Sequence, residues 1–273
     1  MARAARVGVD STGDSKAPEK TARRMLWKLA SIPRLAALRY LAPANKVHIG
    51  ETSGISSCIE ALRTAGPEAP ARAAFELFNL AANAANQDRI REAGGIPLLV
   101  TLLAGGSGPA AAGALWNLAE NNASNQDAIR EAGGIPPLVA LLAAAASLEQ
   151  PAAAAATRGN TVGALANLAA NAANQDAIRE AGGIPPLVAL LAAGARSEVA
   201  GAAAGALSLL ADNNETNKDV IREEGGLKML IDMLSAGAKS DAAVNAAAAL
   251  HSLSGRDWIV ELVRERAVLR KIQ

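Results

Sequence analysis

One phrase recurs four times and constrains everything else about the chain. It reads NQDRIREAGGIPLLVTLL from Asn86, NQDAIREAGGIPPLVALL from Asn125 and again from Asn174, and NKDVIREEGGLKMLIDML from Asn217. The starting asparagines are 39, 49 and 43 residues apart. A fainter copy, ETSGISSCIEAL from Glu51, keeps the later apolar positions, and AAVNAAAALHSLSG closes a last unit. A repeat of this length cannot bury its apolar face alone, so units must stack into one continuous core.

Each unit predicts three helices. The first is short: Asn125 caps it, Asp127 lies in its first turn, and Arg130 stands three residues on for a surface pair. Gly133 and Gly134 stop it. The second helix opens on Pro136 and Pro137, which suit a helix start because the N–H they lack would be unpaired there. It carries Ile135, Leu138, Val139, Leu141 and Leu142. The third helix contains AAGALWNLA, with Leu115 and Leu118 on one stripe. The expected fold class is therefore all-α, a right-handed solenoid of about five three-helix repeats.

The helix triplet with its Gly-Gly-Ile-Pro turn resembles the armadillo family over about residues 51–255. HEAT repeats usually have two helices per unit, and the extra NQDAIREAG helix argues against them. The resemblance implies a non-enzymatic scaffold whose third helices line a concave groove. In importin-α and β-catenin, an Asn near the end of each third helix commonly bonds the backbone of an extended peptide. A primary amide suits that task because it donates and accepts at once.

By that resemblance, Asn79, Asn117 and Asn167 form the ladder, which fails at Leu209 and Ser252. The competing reading is that these amides tie neighbouring repeats together. Positions sharing a helix face add Phe75, Phe78 and Ala82 beside Asn79, and Gly113, Trp116 and Glu120 beside Asn117. The predicted partner-binding residues are thus Phe75, Phe78, Asn79, Trp116, Asn117, Glu120 and Asn167. The aromatic cluster takes either a partner or the chain's own basic N-terminal segment. Importin-α keeps a Trp one turn before the Asn, where this chain has Phe75, Gly113 and Gly163. That departure argues against transport of nuclear localisation signals.

Charge is unevenly spread. Residues 1–50 hold ten Lys/Arg and three Asp/Glu, whereas residues 51–255 hold twelve and twenty, a net of −8. An acidic body favours a partner segment with basic residues. Residues 1–20 are polar and mixed in charge, with disorder expected. Residues 21–49 form a basic flank carrying Leu26, Leu29, Leu35 and Leu38. This flank caps the first repeat, folds onto the acidic groove, or targets a membrane or other surface. Residues 50–255 are the array, and residues 256–273 a capping helix with Trp258, Ile259, Leu262 and Val263 turned inward. Extra residues in the third unit belong in a loop or helix extension at the solenoid edge.

No cofactor, metal or small-molecule substrate is expected. His48 and His251 stand far apart with no ligand-spaced Cys or carboxylate, and the Gly pairs follow helices rather than strands. Cys58, the single cysteine, forms no internal disulfide and reads as a buried structural thiol. With no long apolar run, the expectation is an intracellular protein, cytoplasmic or nuclear. Three alternatives stand beside the scaffold: the substrate-binding part of a U-box-associated ubiquitin ligase, a fragment of a larger armadillo protein, and nucleic-acid or membrane binding through the basic flank alone; the array itself is expected to bind neither nucleic acid nor membrane.

Overall fold

A computed structural model of the chain describes residues 52–64, 66, 68–235 and 240–254. The flanks 1–49 and 256–273, with His48 and the inward set at Trp258–Val263, lie outside the described residues. The described residues form fourteen α-helices and no strand. Second helices are α1 (Thr52–Leu62), α4 (Gly95–Leu102), α7 (Ile135–Ala144), α10 (Ile184–Leu190) and α13 (Gly226–Ser235). Third helices are α2 (Glu68–Leu80), α5 (Gly108–Ala119), α8 (Pro151–Leu168), α11 (Glu198–Leu210) and α14 (Asp241–Ser254). Between them run the short first helices α3 (Ala84–Glu92), α6 (Ala123–Glu131), α9 (Ala172–Glu180) and α12 (Glu215–Glu223). Each third helix packs on the next, α2 on α5, α5 on α8, α8 on α11 and α11 on α14.

The core repeats as the sequence does. Ile90, Ile129, Ile178 and Ile221 of the first helices are fully buried, as are Leu99, Leu138, Leu187 and Leu230 of the second. Leu115, Leu165, Leu207 and Leu250 do the same for the third helices. Truncating any one of these to Ala costs about 2–5 kcal/mol, because its neighbours in the stack cannot collapse onto the gap.

The paired glycines divide two tasks. The first of each pair, Gly133 for example, takes a left-handed turn with φ +71°. The second has ordinary backbone but no room: a methyl on Gly134 would stand 2.9 Å from Ile129 Cγ2.

Two expectations about the first helix are corrected. Asn125 is not its cap. The cap is Asn122, three residues upstream, whose extended backbone lets its side chain accept from the Asn125 N–H at 3.1 Å. Asn83, Asn171 and Asn214 cap α3, α9 and α12 in the same way. Asn125 lies inside the helix, fully buried, and its Nδ2 donates to the Leu118 carbonyl at 2.9 Å. That carbonyl ends a third helix and would otherwise lack a partner. Consequently Asp127 falls beyond the first turn, although its pair with Arg130 forms at 3.2 Å.

The extra residues of the third unit lengthen α8 to eighteen residues, behind a 3-10 turn at Ala145–Ser147. Arg158 closes this edge by donating to the Ala145 carbonyl at 2.9 Å.

Candidate partner-binding face

The third helices form a row, and the predicted residues fall at the junctions within it. Asn117 is fully buried; its Nδ2 donates to the Phe78 carbonyl of α2 at 2.6 Å. Asn167 is 6% exposed and donates to the Trp116 carbonyl of α5 at 2.9 Å. Both amides therefore reach back to the helix before, and neither nitrogen points at an empty groove. Asn79 differs. It is half-buried, and its Nδ2 donates to Phe75 of its own helix at 3.2 Å.

The aromatic rings follow the same junctions. A methyl on Gly113 would meet Phe78 Cδ2 at 3.2 Å, and one on Gly163 would meet Trp116 ring carbons at 2.5 Å. Each glycine is thus the seat for the aromatic ring of the unit before. Phe78 and Trp116 are half-buried, each at its own junction. Phe75 is 56% exposed and pairs with Phe78, ring centroids 6.2 Å apart and planes tilted by 32°. It occupies the register position of Gly113 and Gly163, on the side of α2 that in α5 and α8 meets the preceding third helix. Glu120 ends α5 with extended backbone, half-buried. At the later positions Leu209 is half-buried, and the Ser252 hydroxyl lies 3.2 Å from that of Ser208.

Two further asparagines belong to this system and were missed. Asn160 donates to the Pro109 carbonyl at 2.8 Å and Asn245 to the Gly201 carbonyl at 2.9 Å. They stand seven residues before Asn167 and Ser252, two turns up the same helix face, a spacing visible in the sequence. The α8–α11 junction has neither amide, with Ala202 and Leu209 in those places.

Along the first helices runs a second ladder. Asp88, Asp127 and Asp176 each accept from the capping Asn of the next unit, at 3.1 Å from Asn122, 3.0 Å from Asn171 and 3.1 Å from Asn214. Each also pairs with the Arg three residues on. The amide bond from Asn122 holds the Asp88 carboxyl below the usual range, helped by Arg91; Asn214 and Arg179 do the same for Asp176. The recurrent Asp-x-x-Arg charges thus join neighbouring repeats as well as facing solvent.

Burial, then the charge of Glu76, pushes the Cys58 thiol up, away from a reactive thiolate. Among the described residues no three His, Cys, Asp or Glu side chains gather to hold a metal. No described helix is long and apolar enough to cross a membrane.

The model of the armadillo/β-catenin-like repeat matches residues 171–212 and 213–255. The first span begins at the capping Asn171 and the second at Asn213, one residue before the capping Asn214; they run one or two residues past the ends of α11 and α14. The fold is that of an armadillo-repeat solenoid. Solved armadillo architectures resemble it over most of its length. An engineered protein from a structural genomics consortium is 29% identical, with 89% of this chain and 92% of that one covered at a TM-score of 0.68. A designed armadillo repeat protein in complex with the peptide (KR)4 is 28% identical, covering 89% and 95% at a TM-score of 0.65. Another designed armadillo repeat protein is 27% identical, covering 89% and 96% at 0.66. No curated protein matches the chain. In this armadillo array the asparagines of the third helices are, in α5 and α8, ties between repeats.

Proposed function

We propose that this armadillo solenoid is a protein-interaction scaffold, taking an extended basic segment of a partner across α2, α5 and α8. The observation that carries the reading is the likeness to the designed armadillo protein in complex with (KR)4. A net charge of −8 over residues 51–255 supports the same partner chemistry. Phe78 and Trp116 supply the anchors: half-buried rings, backed by glycine, are the kind of side chain on which binding energy concentrates. Glu120 supplies a carboxylate at the end of α5. Asn117 and Asn167 contribute by holding the row in register, and Asn79 is the amide of the three that a partner backbone reaches most readily.

The test uses (KR)4 itself as the labelled probe, with an acidic peptide of equal length as control. Anisotropy is expected to show binding that weakens as salt rises. Trp116→Ala and Phe78→Ala should each weaken it by roughly tenfold or more. Equal binding of both peptides, or no response to either variant, would sink the proposal.

A further inference from the structure

Comparing the five third helices in register exposes an anomaly at α2. The side facing the preceding unit carries Ala110, Gly113 and Ala114 in α5, and Asn160, Gly163 and Ala164 in α8. In α11 it carries Ala202, Gly205 and Ala206, and in α14 Asn245, Ala248 and Ala249. Ala114, Ala164, Ala206 and Ala249 are completely buried there. The equivalent residues of α2 are Arg72, Phe75 and Glu76, all exposed, with exposed Glu68 one turn earlier. A third helix bearing an aromatic ring cannot seat on Phe75 as Phe78 seats on Gly113. This end face is built for a different occupant, one that covers an exposed ring on a face that carries two carboxylates, Glu68 and Glu76, and one guanidinium, Arg72.

We propose that residues 21–41 of this chain dock on that face. The segment has the required chemistry: five Lys/Arg, no acid, and Leu26, Leu29, Leu35 and Leu38. Its leucines cover Phe75, and its cations meet Glu68 and Glu76. The tether suffices. Residues 42–51 extend to about 35 Å at most, against about 20 Å for the thirteen residues of α2. The proposal concerns the end of the array and does not need a partner peptide, although the two sites adjoin at α2, where Phe75 pairs with the peptide anchor Phe78.

Amide hydrogen exchange on the full chain tests it, alongside Phe75→Glu and the charge reversal Glu68→Lys/Glu76→Lys. All three substitutions are at exposed positions, so the array should keep its fold. The expected result is protection of residues 26–38 by at least ~10-fold over a free peptide, independent of protein concentration. It should fall to within ~2-fold in each variant while α5 and α8 keep theirs. Free-peptide exchange in the unmodified chain would overturn the proposal. So would protection that survives both variants, or protection that vanishes on dilution together with a dimer, which would make a second copy the occupant.

Discussion

Asn167 donates its side-chain amide to the main-chain carbonyl of Trp116 at 2.9 Å, while the Trp116 ring lies over Gly163, one helical turn before that same asparagine. The two contacts form one device. The amide fixes the spacing of α5 and α8, and the glycine makes room for the ring that this spacing brings in. Asn117, Phe78 and Gly113 repeat it one junction earlier. A residue type expected to grip a partner is here spent on aligning neighbouring repeats.

Asn117→Ala therefore acts on stability first. The substitution leaves the Phe78 carbonyl without its side-chain donor in a buried junction, at a cost of about 1–3 kcal/mol. Asn79→Ala, which removes only a bond within an exposed helix face, should stay within about 0.5 kcal/mol. Urea unfolding of the two variants checks the contrast; equal effects would contradict the assignment of Asn117 as a tie.

Gly163→Ala tests the ring seat without touching the ring. In an open helix position the change would stabilise by about 1 kcal/mol. Here the new methyl would stand 2.5 Å from the Trp116 ring, so the indole must leave its seat. The expectation is a net loss of about 1–3 kcal/mol and an altered Trp emission. Binding of (KR)4 should weaken with it, although no residue facing the peptide has been changed.

The fold was legible because repetition multiplies a weak signal. A lone Gly-Gly-Ile-Pro is ambiguous, but three copies and a fourth that keeps the Gly-Gly pair, 39 to 49 residues apart, require stacking, and each buried Ile and Leu recurs where the pattern puts it. Cap assignment went astray because the repeat offers two asparagines three residues apart, and propensity favours either as a cap. The choice is tertiary: Asn125 is claimed by the Leu118 carbonyl, leaving Asn122 to cap. The same reason hid the role of the third-helix asparagines. Which way an amide points depends on the preceding helix, some forty or fifty residues away in the chain.

The first-helix ladder makes a pH prediction. The carboxyls of Asp88 and Asp176 have folded values below their unfolded ones. Their contribution is present above the unfolded carboxylate value, about 3.9, and is lost as pH falls through the folded one. Solvent screening keeps it small, since both side chains are about half exposed. Asn122→Ser retains a capping oxygen but removes the amide donor. Carbon-detected NMR titration should then show the Asp88 midpoint rising towards the ordinary value with Asp176 unmoved, and Asn214→Ser should give the mirror result. A shift of both carboxyls in either variant would mean that the bond is not the cause.

Two glycines predict opposite signs for one substitution. Gly182 ends α9 with φ +74°, where a side chain is strained although nothing stands within 4 Å. Gly182→Ala should therefore destabilise by about 1–2 kcal/mol. Gly159 lies inside α8 with ordinary helical backbone and equally open space, so Gly159→Ala should stabilise by about 0.5–1 kcal/mol. Because each repeat leans only on its neighbours, the effects should also differ in place. Hydrogen exchange should show the loss at Gly182 concentrated in α9 and α10, and the gain at Gly159 in the lengthened start of α8. If both variants shift stability the same way, backbone conformation is not what separates them, and the left-handed turn assigned to the first glycine of each pair fails with it.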